Sequence, residues 1–280
     1  MTAPVVLKFG GELLEDPARM HAVVSAVAAM SAAGTPLVIV HGGGREIDAA
    51  LKVAGIEKRQ VEGLRITDDA TLDVVVSVLG GSANTELVAA LVEGGVAAVG
   101  LTGVDAGLGR ANRVAAHRST TGAIVDLGLV GDAADVDASL IELLLVHGYV
   151  PVVASLGLDA HPSTGVQNIL NVNADVMACR LAAALEGSDL VIAGATAGVL
   201  DDQSEPIPAL DAAGVDSLIA RGTATAGMVA KLSACRSALV EGVASVRIVD
   251  GRQLDATHGV EDALGTTLIL SLDAVRRQTA

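Results

Sequence analysis

Residues 35–55 constrain the fold of this chain more than any other stretch. The segment TPLVIVH is an apolar, β-branched run typical of a buried strand. Glycines 42–44 follow it and predict a loop whose backbone can be approached closely by a ligand or another segment. The next segment, GREIDAALKVAG, has the pattern of a helix. A buried strand, a loop and a helix in direct succession predict a parallel sheet with helices on its faces.

The same alternation continues along the chain. PVVLKFG predicts a first strand, and DPARMHAVVSAVAAMSAAG predicts a helix with Asp16 as its N-cap, Pro17 in its first turn and Gly34 just past its end. Later segments repeat the pattern, with strands at AAVGLTG, YVPVVASLG, SDLVIAG, ASVRIVDG and GTTLILSL and helices at DASLIELLLVHG, NADVMACRLAAALEG and MVAKLSACRSALVEG. We therefore predict an α/β fold, a three-layer αβα sandwich with a mainly parallel central sheet.

Three regions have other patterns. VEGLRITD predicts a short strand or hairpin, and residues 112–131 alternate as a β-hairpin region does. Residues 69–94 predict two helical stretches with a break near Gly80 and Gly81. No linker-like or low-complexity stretch divides the chain, so we expect one continuous domain with two lobes that meet near residue 185.

Composition argues against two classes of function. The 280 residues are 51% hydrophobic and have a formal net charge of −15. A field of that sign repels nucleic-acid phosphates, so we expect no nucleic-acid partner. No apolar run reaches about 18 uninterrupted residues and the N-terminus lacks a signal-peptide pattern, so we expect no membrane span and a cytoplasmic location. Cys179 and Cys235 are expected to be buried, reduced thiols.

Lysine is scarce in this chain. The sequence has four lysines, at positions 8, 52, 58 and 231, against fourteen arginines. Lysine presents a compact point charge and arginine a planar fork, so a site that needs the first cannot always use the second. Lys8 ends an apolar strand two residues before Gly10, and we predict that it faces an anion.

Two glycine loops follow predicted strands, at Gly10–Gly11 and at 42–44. Neither matches the P-loop, which needs Lys-Ser/Thr after its last glycine, or the Gly-x-Gly-x-x-Gly dinucleotide fingerprint, so a nicotinamide enzyme is a poor alternative. For either loop alone, a turn that only connects strand to helix is the structural alternative. Two such loops at the strand ends of one parallel sheet favour a crevice where backbone N–H groups hold anionic oxygens.

Six segments together resemble one known family: LKFGGELL, VIVHGGGREID, VEGLRITD, VGLTGVDAGL, NVNADVMA and GMVAKLSA. Their order is that of the amino-acid kinase family, and HGGG with GLRITD, NVNAD and GMVAK is typical of its acetylglutamate kinase branch. The resemblance runs from about residue 4 to about residue 270. It implies the amino-acid kinase fold.

The resemblance also implies a reaction, the transfer of the ATP γ-phosphoryl group to the side-chain carboxylate of N-acetyl-L-glutamate in arginine synthesis. Such an acceptor has a reference pKa of about 4.3 and is already ionised, so no general base is needed. The reaction needs charge neutralisation and in-line positioning of two anions. The implied cofactor is ATP with Mg2+, the metal bridging the phosphates, and we predict no metal-ligating side chain.

Catalytic roles are carried over to three residues. Lys8 and Lys231 would flank the γ-phosphoryl group, and Asp175 in NVNAD would lie between them and organise them. The structural alternatives are solvated surface lysines and an acid that only stabilises a helix N-terminus. Gly10 and Gly11 would bind phosphoryl oxygens.

Acceptor binding is carried over to a second group. Gly43 and Gly44 would bind acceptor oxygens, Arg65 would fork onto the substrate α-carboxylate, and Asn171 would bind the amide or carboxylate region. A surface ion pair is the alternative for Arg65, and a turn or cap for Asn171. We interpret His41 as a core or loop histidine rather than a catalytic one.

Nucleotide binding is carried over to residues of the second lobe: Ala195, Gly198, Leu200, Thr223 and Thr225. Family members usually have Thr-Asp or Ser-Asp where this chain has Gly194-Ala195, so the acid that helps to form the nucleotide pocket is missing. The resemblance assigns acceptor binding and dimerisation to residues 1–185 and ATP binding to residues 186–280.

The resemblance implies a homodimer. Some family members begin with an extra helix that joins dimers into arginine-inhibited hexamers, whereas the first strand here is predicted near residue 4. Weak or absent inhibition by arginine is therefore expected. Two alternatives stay open: a kinase for a related acidic amino acid or a carrier-linked aminoadipate, and a non-catalytic amino-acid sensor.

Overall fold

The computed structural model describes residues 3–114, 116–118, 122–162, 168–223, 226–254, 260 and 263–270. These residues form an αβα sandwich around an eight-stranded sheet. The predicted fold class is confirmed, since helices cover both faces of a mainly parallel sheet.

The central sheet has the strand order β14-β16-β15-β13-β1-β2-β10-β5. Only the β15–β16 pair within it is antiparallel among the described residues. The strands are β1 (Val5–Phe9), β2 (Leu37–His41), β3 (Gln60–Val61), β4 (Leu64–Arg65), β5 (Ala98–Thr102), β6 (Gly109–Arg113), β7 (His117–Arg118), β8 (Ile124–Val125), β9 (Val130–Val136), β10 (Val150–Ala154), β11 (Leu156–Asp159), β12 (Ile169–Val172), β13 (Asp189–Gly194), β14 (Ala209–Leu210), β15 (Ser245–Asp250) and β16 (Gly265–Leu268).

The helices are α1 (Gly11–Leu14), α2 (Pro17–Ala32), α3 (Gly44–Val53), α4 (Asp69–Val76), α5 (Asn84–Glu93), α6 (Ser139–Val146), α7 (Ala174–Ala184), α8 (Ala212–Arg221) and α9 (Ala226–Val240). The predicted start of α2 is confirmed, because the Asp16 carboxylate accepts the N–H groups of Ala18 and Arg19, each at 3.0 Å. The structure adds α1, α8, β12 and β14, which the sequence patterns did not predict, and divides the predicted strand YVPVVASLG into β10 and β11.

Alternation along β1 decides which side chains reach which face of the sheet. Leu7 and Phe9 belong to the core under α2 and α5. Val6 belongs to the core under α7 and α9. Successive side chains of a strand point to opposite faces, so Lys8 shares the face of Val6. The single lysine of this strand therefore points toward α7 and α9.

The predicted break near Gly80 and Gly81 is wrong. Residues 69–93 form one continuous helical run, in which α4 and α5 are joined by a π-helical segment, Ser77–Ala83. The wider turn takes up the irregularity without ending the helix. A Cβ on Gly80 would lie 3.3 Å from Thr102 Cγ2, so the small residue allows this segment to lie close to β5.

This long helix is also apolar enough to cross a membrane, judged by length and composition alone. The expectation that no segment spans a membrane was based on uninterrupted apolar runs, and this helix contains polar residues that interrupt such a run. Leu72, Leu87 and Leu91 are fully buried in the protein core. Core packing therefore accounts for the apolar character of its inner side.

A smaller, closed set of four strands lies beside the central sheet. It has the order β11-β12-β9-β6, with β11–β12 and β6–β9 antiparallel. The predicted hairpin regions are confirmed: β3 pairs with β4, and β7 pairs with β8. Strand β12 leads directly into α7 and brings Asn171 close to the start of that helix.

Candidate active site

The three residues predicted to be catalytic form one ion-pair cluster near the carboxyl end of β1. Lys8 Nζ lies 2.8 Å from Asp175 Oδ1, and Lys231 Nζ lies 3.3 Å from Asp175 Oδ2. The exposed fractions of the three side chains are 11%, 14% and 18% for Lys8, Asp175 and Lys231. One carboxylate thus holds two ammonium groups side by side, largely shielded from solvent.

The cluster shifts the pKa values of its members. Burial alone would lower the pKa of Lys8, but the charge and hydrogen bond of Asp175, with a smaller contribution from Glu12, raise it above its ordinary value. Burial alone would raise the pKa of Asp175, but Lys8 and Lys231 lower it to about 2. Lys8 and Asp175 are therefore charged at neutral pH, and two cations against one anion leave the cluster positive.

Local helix chemistry places Asp175. The Asn173 side chain caps α7 by accepting the N–H groups of Asp175 at 2.8 Å and Val176 at 3.3 Å. Asp175 thereby lies in the first turn, facing Lys231 on α9. One helical turn further, Cys179 follows Asp175 and Cys235 follows Lys231, both buried and unbridged.

The two glycine loops lie side by side. Gly10 follows β1 and donates its N–H to Ala193 O at 3.0 Å, which ties the first loop to β13. Gly43 precedes α3 in the second loop. A Cβ on Gly11 would lie 3.5 Å from the backbone nitrogen of Gly44. The carboxyl ends of β13, β1 and β2 therefore carry their loops at one edge of the sheet.

A cavity of about 180 Å3 opens beside the second loop. All four residues predicted to bind the acceptor line it, namely Gly43, Gly44, Arg65 and Asn171. Its other polar lining includes Gln60, Ser155 and Asn173. The structure thus brings these four residues together around one space.

Arg65 is fixed by one arm of its guanidinium group. Its Nη2 donates to Gly44 O at 3.1 Å and pairs with Asp48, while Lys58 lies 2.7 Å from the same aspartate. Nη1 is buried without a hydrogen-bond partner among the described residues. An unpaired buried donor is costly, so this arm is suited to an anionic oxygen in the cavity.

Asn171 lies on β12 and not in a turn or at a helix cap. Its side-chain amide donates to Thr67 Oγ1 at 3.2 Å. Thr67 is fully buried and donates to Arg65 O at 3.0 Å. This chain of hydrogen bonds connects Asn171 to the strand that carries Arg65.

His41 is a buried residue of the sheet, as interpreted from the sequence. Its Nε2 lies 2.9 Å from Asn84 Nδ2, and its Nδ1 lies 3.0 Å from Gly42 O. The amide nitrogen of Asn84 can only donate and the carbonyl oxygen of Gly42 can only accept, so the ring is neutral with its proton on Nδ1. Burial lowers the pKa of His41, against a weaker opposing effect of the Gly42 bond.

The residues predicted to bind the nucleotide are carried by segments after β13 and after α8. Gly198 approaches β16 so closely that a Cβ there would lie 2.7 Å from Thr266 Oγ1. Leu200 and Pro206 form an isolated antiparallel β-bridge. The Thr223 hydroxyl donates a hydrogen bond to the Asp202 carboxylate. Thr225 lies outside the described residues.

Glu12 is a residue at this edge that the sequence analysis did not select. Its Oε1 accepts the backbone N–H of Ala195 at 3.1 Å. The carboxylate also fills the space that a Cβ on Gly10 would occupy. The signal was present, because a charged residue directly after Gly10-Gly11 and before two buried leucines is unusual in a core segment.

Comparison with known proteins shows the family of this chain. Residues 3–250 match the sequence profile of the Amino acid kinase family. The chain is 42% identical over 251 residues to an acetylglutamate kinase of Symbiobacterium thermophilum, covering 89% of this chain and 84% of that protein. It is 38% identical to an acetylglutamate kinase of Stutzerimonas stutzeri, covering 89% and 82% of the two chains.

Solved structures extend the likeness. A protein of Streptococcus mutans superposes with a TM-score of 0.78 at 26% identity, covering 97% of this chain and 100% of that one. N-acetylglutamate synthase from Neisseria gonorrhoeae, complexed with coenzyme A and N-acetyl-glutamate, has a TM-score of 0.79 at 21% identity, covering 96% and 60%. At the lower identity the likeness concerns the fold alone.

Proposed function

Because the chain belongs to the amino acid kinase family, we propose that it catalyses the ATP-dependent phosphorylation of N-acetyl-L-glutamate in arginine biosynthesis. A side-chain carboxylate oxygen of the acceptor attacks the γ-phosphorus of ATP. The bond from that phosphorus to the bridging oxygen breaks, and the products are an acyl phosphate and ADP. The curated relatives at 36–42% identity support this choice of acceptor.

The observation that carries the proposal is the pair of ammonium groups on one carboxylate. Two anions must approach each other in this reaction, and charge spreads over the phosphoryl oxygens in the transition state. Lys8 and Lys231 are fixed by Asp175 before substrate arrives, so their charges stabilise that state without reorganisation. Lys8 lies two residues before Gly10, which supports the assignment of Gly10 and Gly11 to phosphoryl oxygens. Because the Gly10 N–H already donates to Ala193 O, Gly11 is the residue that offers its N–H.

The cavity beside the second glycine loop is the proposed acceptor site. The free arm of Arg65 binds the α-carboxylate, Asn171 binds the acetamido or carboxylate region, and Gly43 and Gly44 contribute backbone contacts. Residues 1–185 form the acceptor lobe in this assignment. Residues 186–280 form the nucleotide lobe, with Ala195, Gly198, Leu200, Thr223 and Thr225 as its contacts.

Magnesium is proposed as the ion that accompanies ATP. The described residues hold no group of three or more His, Cys, Asp or Glu side chains suited to a metal. Mg2+ on a nucleotide needs only one or two carboxylates beside phosphates and water, so a dedicated cluster of protein ligands is not required. The ion neutralises phosphate charge when it is bound.

The test is a panel of acceptors with the purified chain. ADP release is measured with acetylglutamate, glutamate, aspartate and carbamate, and the acyl phosphate is trapped with hydroxylamine. Acetylglutamate is expected to give the highest kcat/KM and a hydroxamate product. Turnover with glutamate but not with acetylglutamate would overturn the proposal, and binding without turnover would favour an amino-acid sensor.

We also propose that two copies associate through the outer side of the 69–93 helix and strand β5. Strand β5 is an edge of the described sheet, and only 33% of the most apolar 18-residue stretch of the helix is buried. An edge strand beside the exposed side chain of Val92 is a surface that a second copy can cover. Val92→Glu is expected to give monomers in light scattering, whereas Val53→Glu on α3 leaves the dimer intact.

A cytoplasmic location, without a membrane or nucleic-acid partner, completes the proposal. The free thiols of Cys179 and Cys235 suit a reducing compartment. The net charge of −15 disfavours nucleic acid. Weak inhibition by arginine stays a prediction, which arginine titration of the activity tests.

A further inference from the structure

The carboxylate of Glu12 lies at the junction of two loops that meet the proposed phosphate site. Its Oε1 accepts the N–H of Ala195, just after β13, at 3.1 Å. The same oxygen would lie 3.3 Å from a Cβ on Gly194. The carboxylate also covers Gly10 at the end of β1. It therefore bridges the ends of β1 and β13, beside the proposed phosphoryl contacts at Gly10 and Gly11.

Glu12 has no ion-pair partner within 4 Å in the described part of the chain, although its charge helps to raise the pKa of Lys8. Asp175 is held by two lysines, Asp250 at the end of β15 is paired with Arg252, and Asp202 with Arg221. The Glu12 side chain is half-buried, and within the described residues its hydrogen bond is the one that Oε1 accepts from Ala195. Oε2 is left to interact with a ligand.

A fixed carboxylate beside a polyphosphate is unfavourable, because like charges at short range repel each other. A cation between them reverses the sign of the interaction. Divalent magnesium prefers hard oxygen ligands and commonly joins one carboxylate to the phosphates of a nucleotide. The side chain of Ala195 contributes no oxygen at this place, and Glu12 supplies a carboxylate directly beside it.

We propose that Glu12 binds the divalent cation of the metal–nucleotide complex through its carboxylate. This inference depends on the proposed kinase function and assigns one further residue to it. Hydrogen bonding to Ala195 orients the carboxylate before the nucleotide arrives. The consequence is that the protein prefers metal-bound over metal-free nucleotide.

Glu12→Gln is the diagnostic variant, because glutamine keeps the oxygen that accepts the Ala195 N–H and removes only the charge. Affinities for ADP and for a nonhydrolysable ATP analogue are measured by calorimetry with Mg2+ and with a chelator. Mn2+ binding to the nucleotide complex is followed by electron paramagnetic resonance. Glu142→Gln, at an exposed position of α6, is the matched control, and melting curves verify that both variants fold.

In the wild type the metal tightens nucleotide binding, and in Glu12→Gln that preference is expected to fall about tenfold or more. Metal-free nucleotide is expected to bind the variant as tightly as the wild type, or more tightly. An unchanged metal preference, or tighter binding of the metal–nucleotide to the variant, would overturn the proposal. The second result would identify Glu12 as a group that leaves when nucleotide binds.

Failure of the kinase function gives a different result. If the chain bound no nucleotide with or without metal, the wild type itself would show no binding heat in calorimetry and no ADP release in the acceptor panel. If nucleotide and acceptor were both used but Glu12→Gln kept its metal preference, only the role of Glu12 would be wrong. The two readouts therefore separate the two inferences.

Discussion

Lys8 Nζ lies 2.8 Å from Asp175 Oδ1 because the alternation of β1 turns this side chain toward the face covered by α7. The position suits a point charge. A guanidinium group is planar and longer, so it cannot keep both the aspartate contact and the same approach to a phosphoryl group.

Lys8→Arg is expected to lower kcat about 100-fold or more, with a smaller change in KM, because the charge acts on the transition state. Steady-state kinetics measure both constants. Lys52→Arg, an exposed position on α3, is the control and should behave as the wild type. Turnover of Lys8→Arg close to the wild-type rate would remove Lys8 from the proposed phosphoryl clamp.

Asp175→Asn is expected to cost stability as well as activity. The substitution leaves two buried ammonium groups facing each other without their counter-ion, and removing one partner of a buried pair costs about 3 kcal/mol. Urea unfolding at pH 7 measures the loss. A variant as stable as the wild type would mean that the cluster is more open to water than its exposed fractions indicate.

The ionisation of Asp175 should contribute to the loss of stability at low pH. The pKa of Asp175 is lowered from 3.8 to about 2. Its contribution to the free energy of unfolding is therefore complete above pH 3.8 and is lost as the pH falls toward 2, on the order of 2 kcal/mol. Unfolding curves between pH 5 and the acid limit should fall less steeply in Asp175→Asn. Parallel curves for variant and wild type would contradict the assignment.

His41 should stay neutral through the working range of pH. Its pKa is lowered from 6.5 by burial, so the stability that neutral His41 contributes is complete above pH 6.5 and declines as the pH falls below it. Nitrogen-15 spectra of the ring should report a proton on Nδ1 and no titration step at or above pH 6.5. A midpoint in that range would show that the Asn84 bond does not hold in solution.

The thiols of Cys179 and Cys235 should react slowly with a disulfide reagent in the native protein. Both are buried, and the neighbouring Cys235 thiol together with burial raises the pKa of Cys179 well above its ordinary value. The thiolate is the reactive form, so the reaction requires local unfolding that exposes the thiol to solvent. In urea both should react at once. Cys179→Ser and Cys235→Ser assign the phases, and fast native labelling would contradict the packing of α7 on α9.

Structure that depends on neighbouring residues in the sequence could be predicted. The buried strands, the Asp16 cap and the helix that carries Asp175 follow from hydrophobic spacing and capping residues. Spacing alone did not bring Lys8, Asp175 and Lys231 together; the family resemblance implied it. The structure adds the physical reason, since helices α7 and α9 cover the face of β1 on which Lys8 lies.

Contacts between distant segments could not be predicted. The bond from Glu12 to Ala195 joins residues 183 positions apart, and no local pattern specifies it. The pairing of Arg65 with Asp48 depends on how a short hairpin lies against α3. The π-helical segment was mistaken for a break because adjacent glycines are more often the end of a helix than a widened turn within one.

The order of three neighbouring strands arranges the proposed reaction in space. In the central sheet β13 lies beside β1, and β1 lies beside β2. The loops at their ends carry, in the same order, the proposed nucleotide contacts, the phosphoryl contacts and the acceptor contacts. Neighbouring strands are about 4.8 Å apart, so the hydrogen-bonded backbone of the sheet fixes the distances between these three loops. It sets the path of the transferred group to a few ångströms, along a line perpendicular to the strands.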